Sequence, residues 1–474
     1  MSKYVLFIIL IFTSVLVYSP HFDYKYPFSI DEWHHITEAY KLRDGVYTGG
    51  TIGYRFGFHF LLAGLSYGFD LVRIYHLLPA LWVIFSALSL YYVISKIDKQ
   101  NKKKTAFIAL ASLFFFASIK SSVNILGLIF FTPLSFSIPF IYLYIYWFYY
   151  GLKENKFNYV IYSLVLMLFL VFVYPISVLF GLPILIVLMG IYYKNILPNI
   201  KYYSLLLILP LFGFVYYLLI LEKSVTEAFL RLFRELFFWQ QWEGFIYYNS
   251  PLELYSLIGY IFALIGLFYV IYKKEKNYYL FVIWFFVVLG NILFYIATSL
   301  SILSPYKRNL YYFALVVPIF SAIGLWYCFN YINGYMKKFS PSLKNAIFAL
   351  LFVIIFILTF FQYFNVPWTV YYAISDSDHR MFTELADYPY GLVLTDISRS
   401  MALYPIAKKD PAAAFHFYGT PHNWADYVNA ENCDEMYDII KRANISYIID
   451  DFDNGCNWPI LFKSHSFVYD VRNI

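Results

Sequence analysis

The sequence predicts a polytopic α-helical membrane protein with about 11 transmembrane helices and a C-terminal extracytoplasmic α/β domain. Three observations lead there. Hydrophobic residues make up 61% of the 474-residue chain and charged residues only 14%, with a mean hydropathy of +0.61. Apolar runs of spanning length recur along most of it, each needing about 20 residues to cross a bilayer. Charge is also divided unevenly, with 15 acids against 8 Lys and Arg in residues 365–474, and 14 against 27 elsewhere. Two domains are expected, a membrane body over 1–364 and a soluble domain over 365–474. Only three cysteines are present, which argues against a disulfide scaffold.

The predicted spans fall near 4–19, 71–95, 105–119, 125–151, 158–173, 176–193, 203–221, 253–272, 278–298, 309–333 and 346–364. Lys3 precedes the first run, but Val17-Tyr18-Ser19-Pro20 is no small-x-small cleavage site, so a retained first helix is expected. Charge orients the layout. The loops on one face carry 16 basic residues, from Lys3 to Lys344, against three acids, Asp98, Glu154 and Glu275. By the positive-inside rule that face is cytoplasmic, which puts the N-terminus inside and the C-terminal domain outside, in a plasma-membrane protein. Phe56 to Phe69 is apolar but short, and reads as an interfacial helix on the outer surface. Tyr174-Pro175 splits a long apolar run, because proline removes a helix hydrogen bond. Residues 222–252, with Glu227, Glu235 and Glu243, read as an amphipathic surface helix.

One polar stretch stands out in this apolar chain. Ser29 to Glu38, directly after the first span, packs Asp31, Glu32, His34, His35 and Glu38 into eight residues. Read as a helix, Asp31, His34, His35 and Glu38 fall at i, i+3, i+4 and i+7, on one face. Ionisable groups set against a bilayer are costly to hold there, so this stretch is the expected active site. A bland reading coexists with that one: Ser29 or Asp31 caps a helix and acids occupy its first turn.

In the soluble domain, Gly391 to Asp396 and Ile445 to Asp450 read as buried strands ending in aspartate, with Cys433 to Arg442 as the helix feeding the second. That pattern predicts parallel strands in an α/β arrangement. Cys433 and Cys456 can pair, whereas Cys328 sits in a span. Asn444-Ile445-Ser446 matches a glycosylation sequon but falls in the predicted strand.

An acidic pair opening the first external loop is followed by Ala39-Tyr40-Lys41-Leu42-Arg43-Asp44-Gly45 and by Tyr54-Arg55-Phe56-Gly57-Phe58-His59. Arg73 and Leu77-Leu78-Pro79-Ala80 then open the second span. With this order the chain resembles the GT-C superfamily of polytopic glycosyltransferases, whose donors are polyprenyl-linked sugars. Protein O-mannosyltransferases, lipid A aminoarabinose transferases and oligosaccharyltransferases share the plan. The resemblance covers the architecture of the whole chain, and its sequence-specific part lies within residues 29–80.

The resemblance implies that Asp31 is the catalytic carboxylate, accepting a proton from the acceptor nucleophile as the sugar leaves its lipid phosphate with inversion. Glu32 would be a supporting acid. The leaving phosphate needs cations, and Lys307-Arg308 match basic residues found before a late span in oligosaccharyltransferase-like members. Lys120, on a short external loop, is a further candidate, and interfacial snorkelling is the bland account of Lys307 and Arg308. His34, His35, Glu38, Arg55, His59 and Arg73 are candidate substrate contacts. Partners implied are a polyprenyl-phosphate sugar donor, a glycan, lipid or protein acceptor, and the lipid bilayer; no nucleic acid is expected.

The sequence departs from the oligosaccharyltransferases in two places. Their second external loop carries an Asp-x-Asp-like motif, whereas Lys120-Ser121-Ser122-Val123-Asn124 has no acid, and no Trp-Trp-Asp motif follows in the C-terminal domain. Both absences favour a monosaccharide on polyprenyl phosphate over sequon-directed N-glycosylation. No cofactor is required on this reading; a divalent metal would fall to Asp31, His34 and His35, and His59, His76, His416 and His422 look scattered. The alternative class is a transporter or flippase of a lipid-linked substrate, which should show inverted repeats and polar groups near the midplane. Here the spans are poor in charge and the ionisable groups gather at the outer surface.

Overall fold

A backbone in lipid must satisfy its own hydrogen bonds, so apolar runs fold as helices. In the computed structural model of the chain, Lys3–His21, Leu71–Ile97, Lys276–Thr298, Tyr306–Tyr335 and Pro341–Phe360 are long and apolar enough to cross a membrane. The structure describes residues 2–46, 55–98, 101–120, 127–219, 224–227, 229–230, 237–239, 254–361, 371–414 and 422–472. These residues divide into two units, Met1–Ser19 with Leu77–Pro367, and Pro20–His76 with Trp368–Ile474. In chain order the main helices are α1 (Ser2–Tyr18), α2 (Ile30–Arg43), α3 (Phe56–Ser66), α4 (Leu78–Ile97), α5 (Lys102–Phe116), α6 (Pro133–Lys153), α7 (Phe157–Val173), α8 (Leu257–Tyr272), α9 (Tyr279–Thr298), α10 (Tyr306–Tyr335), α11 (Pro341–Phe360), α12 (Asp376–Leu385) and α13 (Cys433–Ala443).

The first unit is built around α10. This helix packs on α5, α8 and α9 and is buried along most of its apolar length, whereas α11 is mostly exposed and leaves its face for lipid. Polar groups inside the bundle are tied to neighbouring helices, as a low-dielectric interior requires. Trp284 Nε1 donates to the Tyr312 carbonyl at 3.1 Å, Tyr142 Oη to the Leu315 carbonyl at 2.7 Å, and Ser321 Oγ to the Gly259 carbonyl at 2.9 Å. Helices α8 and α10 meet at two glycines. A Cβ on Gly324 would lie 2.0 Å from the Phe262 carbonyl oxygen, and one on Gly266 would lie 2.0 Å from that of Phe320.

The break at Tyr174-Pro175 is where the sequence places it: α7 ends at Val173 and helix resumes at Ile176. The expected amphipathic helix over 222–252, including Glu235 and Glu243, lies mostly outside the described residues. Within it, Ser224 caps a turn by accepting from Glu227 N at 3.2 Å. Phe237–Trp239 is a strand (β1) rather than a helix, paired antiparallel with Leu300–Ile302 (β2). Three consecutive bulky aromatics suit a pleated edge better than a helical turn.

The second unit joins the long loop after α1 to the C-terminal segment. Its sheet contains β3 (Leu392–Leu394), β4 (Asp410–Pro411), β5 (Ile445–Asp450), β6 (Ile460–Lys463) and β7 (Phe467–Asp470), in the order β4-β3-β5-β7-β6. The expected parallel pair is present, since β3 runs parallel to both β4 and β5, while β7 is antiparallel to β5 and β6. Helix α13 feeds β5 and packs Ile440 against Leu394, Ile448, Trp458 and Tyr469. Cys433 and Cys456 form the disulfide that their positions allow. Asn444 is not in the strand: it ends α13 in the left-handed region at φ 53°, a conformation asparagine tolerates.

An ion network centred on the buried Arg399 and Asp378 adds to this unit. Arg399 donates to Asp378 at 2.9 Å and to Asp451 at 2.7 Å, while His465 contacts Asp378 at 3.0 Å and Ser466 Oγ donates to Asp451 at 2.6 Å. Burial pushes the Asp378 carboxyl up, but the hydrogen bonds from Ser375 and Arg399 outweigh it and hold it below the usual carboxylate range.

The glycine contact can be tested directly. Gly324→Val should cost about 1–3 kcal/mol or more through overpacking, lowering the thermal midpoint in detergent. Gly190→Ala, where an added Cβ meets nothing within 4 Å, should leave that midpoint unchanged. A depressed Asp378 pKa means its stabilisation is present above the unfolded value of about 3.9 and is lost as pH falls below it. The midpoint of the wild type should therefore fall more steeply from pH 6 to pH 3 than that of Asp378→Asn.

Candidate functional site

Helix α2 begins where the sequence signals it. Ser29 Oγ accepts from Glu32 N at 3.3 Å, and the Glu32 carboxylate accepts from the backbone N–H of Phe28 at 2.8 Å and of Ser29 at 3.3 Å. That is a capping box, and Glu32 is buried within it. Its neighbour Asp31 is half exposed, and among the described residues no hydrogen bond or ion pair engages its carboxylate. Glu32 thus holds the helix start.

The rest of α2 is buried from Glu32 to Tyr40, despite its polar composition. Each polar group needs a partner there. Thr37 Oγ1 donates to the Met401 carbonyl at 2.7 Å, and Lys41 pairs with Asp410 at 2.7 Å. Asp44, just beyond the helix, pairs with Lys408 at 2.8 Å. Upstream, Tyr24 Oη donates to the Ile374 carbonyl at 2.9 Å, and Tyr26 Oη to Asp376 at 2.8 Å. Tyr40 Oη donates to Asp70 and accepts from Leu71 N, both at 3.0 Å. Burial, then Asp70, pushes the Tyr40 phenol up to about 12.

Helix α3 packs on α2 and brings in His59, an imidazole in an otherwise apolar turn. His35 Nδ1 lies 3.0 Å from His59 Nε2. His34, His35 and His59 are all buried, and one ring nitrogen from each lies within 4.8 Å of the others. Burial, reinforced by the positive fields of His59, Arg55 and Lys41, pushes His34 well below its usual range, so it is neutral at pH 7. The expected grouping of Asp31 with His34 and His35 is thus replaced by one in which His59 takes the third place. Twenty-four residues separate His35 from His59, and only the packing of α3 on α2 joins them. An isolated histidine among Phe56, Phe58 and Phe60 is the one local signal for it.

The other candidates are dispersed. Glu38, one turn beyond His34, is buried but outside the histidine group. Arg55 stands at the start of α3, where its charge bears on His34. Arg73 is exposed and pairs with Asp70 at 3.2 Å. Lys120, Lys307 and Arg308 belong to the first unit. Lys120 is half-buried, and its backbone N–H donates to the Leu254 carbonyl at 2.9 Å; residues 121–126 of its loop lie outside the described residues. Lys307 and Arg308 occupy the first turn of α10, both half-buried, after Pro305. Beside that turn Asn309 is buried and held by Ser304, and it lines a mostly apolar cleft of about 320 Å³ with Phe180, Pro183, Val288, Phe294 and Ile302.

No family model matches the sequence, and no curated protein does. Solved structures do match. The Archaeoglobus fulgidus oligosaccharyltransferase, tethered with an acceptor peptide containing the NVT sequon, aligns over 95% of this chain and 69% of its own, at 12% identity and TM-score 0.56. The chain has the fold of the GT-C oligosaccharyltransferases. The same archaeal enzyme in complex with Zn and sulfate aligns over 94% and 68% at 13% identity and TM-score 0.57. Archaeal AglB in complex with an inhibitory peptide and a dolichol-phosphate gives 95% and 69%, 12% identity and TM-score 0.54. Among the described residues, His34, His35 and His59 are grouped so that they could hold a metal, and three nitrogen donors make a set that suits zinc.

The two acids of α2 should separate in stability measurements. Glu32→Ala leaves buried N–H groups unsatisfied and should destabilise the protein by about 1–3 kcal/mol. Asp31→Ala leaves the capping box intact and should cost less than about 1 kcal/mol. Thermal midpoints of the two purified variants check this.

Proposed function

We propose that the chain is a glycosyltransferase that moves a sugar from a polyprenyl-phosphate donor to a protein, lipid or glycan acceptor at the external membrane face, with inversion. The observation that carries this reading is the Asp31 carboxylate, unengaged among the described residues, at the start of a helix otherwise locked in place, in a chain with a GT-C fold. In the reaction, the acceptor's O–H or N–H proton passes to Asp31 as its heteroatom attacks the anomeric carbon. The bond from that carbon to the phosphate oxygen breaks, and the phosphate leaves with the electron pair. Because attack and departure occur in one displacement, the anomeric centre inverts. Glu32 acts as a positioning residue through its hold on Phe28 and Ser29.

Lys307 and Arg308, aided by the positive end of α10 and by Lys120, bind the donor phosphate in this proposal. The apolar cleft next to that turn suits a polyprenyl tail. His34, His35, Glu38, Arg55, His59 and Arg73 shape the acceptor and sugar environment around Asp31. The acid-free second loop favours a monosaccharide carried on a monophosphate. We place about 11 spans in the bilayer of the cell membrane, with the N-terminus cytoplasmic and the C-terminal domain outside. A disulfide in that domain accords with an oxidising compartment.

The test is transfer from a panel of radiolabelled polyprenyl-phosphate monosaccharides, in membranes bearing the wild type or a Lys307→Ala/Arg308→Ala variant. Wild type should transfer from at least one donor, and the variant should raise the donor KM at least about tenfold, the loss of roughly one charge-assisted contact. No transfer by the wild type from any donor, or an unchanged KM in the variant, contradicts the proposal.

A further inference from the structure

We infer that His34, His35 and His59 form a binding site for one divalent transition-metal ion, which clamps α3 to α2. Their ring centroids lie 5.5 Å apart for His34 and His35, 5.9 Å for His34 and His59, and 5.2 Å for His35 and His59. Three rings at these spacings surround a common point, and one nitrogen of each lies within 4.8 Å of the other two. In a tetrahedral zinc site with Zn–N bonds of about 2.0–2.1 Å, ligand nitrogens stand about 3.4 Å apart. The His35 Nδ1 to His59 Nε2 distance of 3.0 Å needs only a few tenths of an ångström of opening.

The surroundings fit a nitrogen-ligated ion. All three side chains are buried, at 8%, 1% and 1% exposure, and Phe58 packs edge-on against His35. Three imidazoles select zinc, cobalt or nickel over magnesium or calcium, which prefer oxygen. Without an ion, the facing nitrogens of His35 and His59 share one hydrogen. On binding, that hydrogen moves to the other nitrogen of its ring, so both imidazoles stay neutral and both present a lone pair. A fourth position is left for water or a substrate atom. Asp31 is not among the ligands, so the site is distinct from the carboxylate proposed for catalysis and does not depend on the transferase reading.

The full-length protein, purified in detergent and stripped with chelator, is titrated with Co²⁺ while the visible d–d absorption and bound metal per chain are read. One equivalent should bind with the intense absorption of a four-coordinate site, and Zn²⁺ should displace it. His59→Ala should weaken binding by more than about 100-fold, a larger loss than removing a supporting partner causes. His59→Asn, which keeps a polar group at that position, should fail in the same way and guards against misfolding of the alanine variant. Asp31→Asn should bind as the wild type does. Saturating Zn²⁺ should raise the thermal midpoint of the wild type and of Asp31→Asn but not of His59→Asn. No stoichiometric Co²⁺ binding by the wild type, binding that survives in both His59 variants, or binding lost in Asp31→Asn each overturns the proposal.

Discussion

A helix that carries Glu32, His34, His35, Thr37 and Glu38 into a protein interior can persist only if each polar group finds a partner. That constraint organises the second unit. The capping box fixes where α2 starts, and Thr37 and Lys41 tie it to residues more than 360 positions away. Loop residues Tyr24 and Tyr26 reach the same C-terminal segment. The first loop and the C-terminal segment therefore fold as one body, and the orientation of Asp31 is set by contacts that neither could supply alone.

Which forces dominate differs between the units. In the apolar unit, close packing decides, as at Gly266 and Gly324, where helices approach so nearly that one methyl group cannot be added. In the polar unit, satisfaction of buried charge and hydrogen-bonding groups decides. Arg399 between Asp378 and Asp451 and the Lys41 pair with Asp410 are worth little as isolated attractions, because desolvation opposes them. Breaking the Arg399–Asp378 contact would strand a buried charge, and breaking the Lys41 pair a partly buried one, and in that sense they specify the arrangement.

Much of this is legible in the sequence because its signals are local. Ser29 with Glu32 three residues on, the apolar runs, the break at Tyr174-Pro175, the helix from Cys433 and the strands at 392 and 445 all follow from short-range chemistry. What escapes is non-local or delicately balanced. Glu32 reads as a supporting acid, and its hold on the Phe28 and Ser29 N–H groups emerges only from the distances, because an acid in a first turn can serve the cap as well as a substrate. His59 reads as isolated, because nothing in residues 29–59 reveals that α3 folds back on α2. Asn444 reads as strand, because a left-handed helix end beside a strand differs by a single residue. The aromatic run at Phe237 likewise needs its partner strand at Leu300 before its conformation can be known.

In the proposed reaction Asp31 takes the acceptor's proton and Glu32 supports it by holding the helix start. This assignment is tested by comparing steady-state sugar transfer by wild type, Asp31→Asn and Glu32→Gln, each at matched folded concentration. Loss of kcat by about 10²–10⁴-fold in Asp31→Asn, with donor KM little changed, is the expected signature of a removed general base. Glu32→Gln, which keeps an acceptor oxygen for the Phe28 N–H, should retain most of its kcat once folded. Equal transfer by wild type and Asp31→Asn, or a larger kcat loss in Glu32→Gln than in Asp31→Asn, would contradict the account.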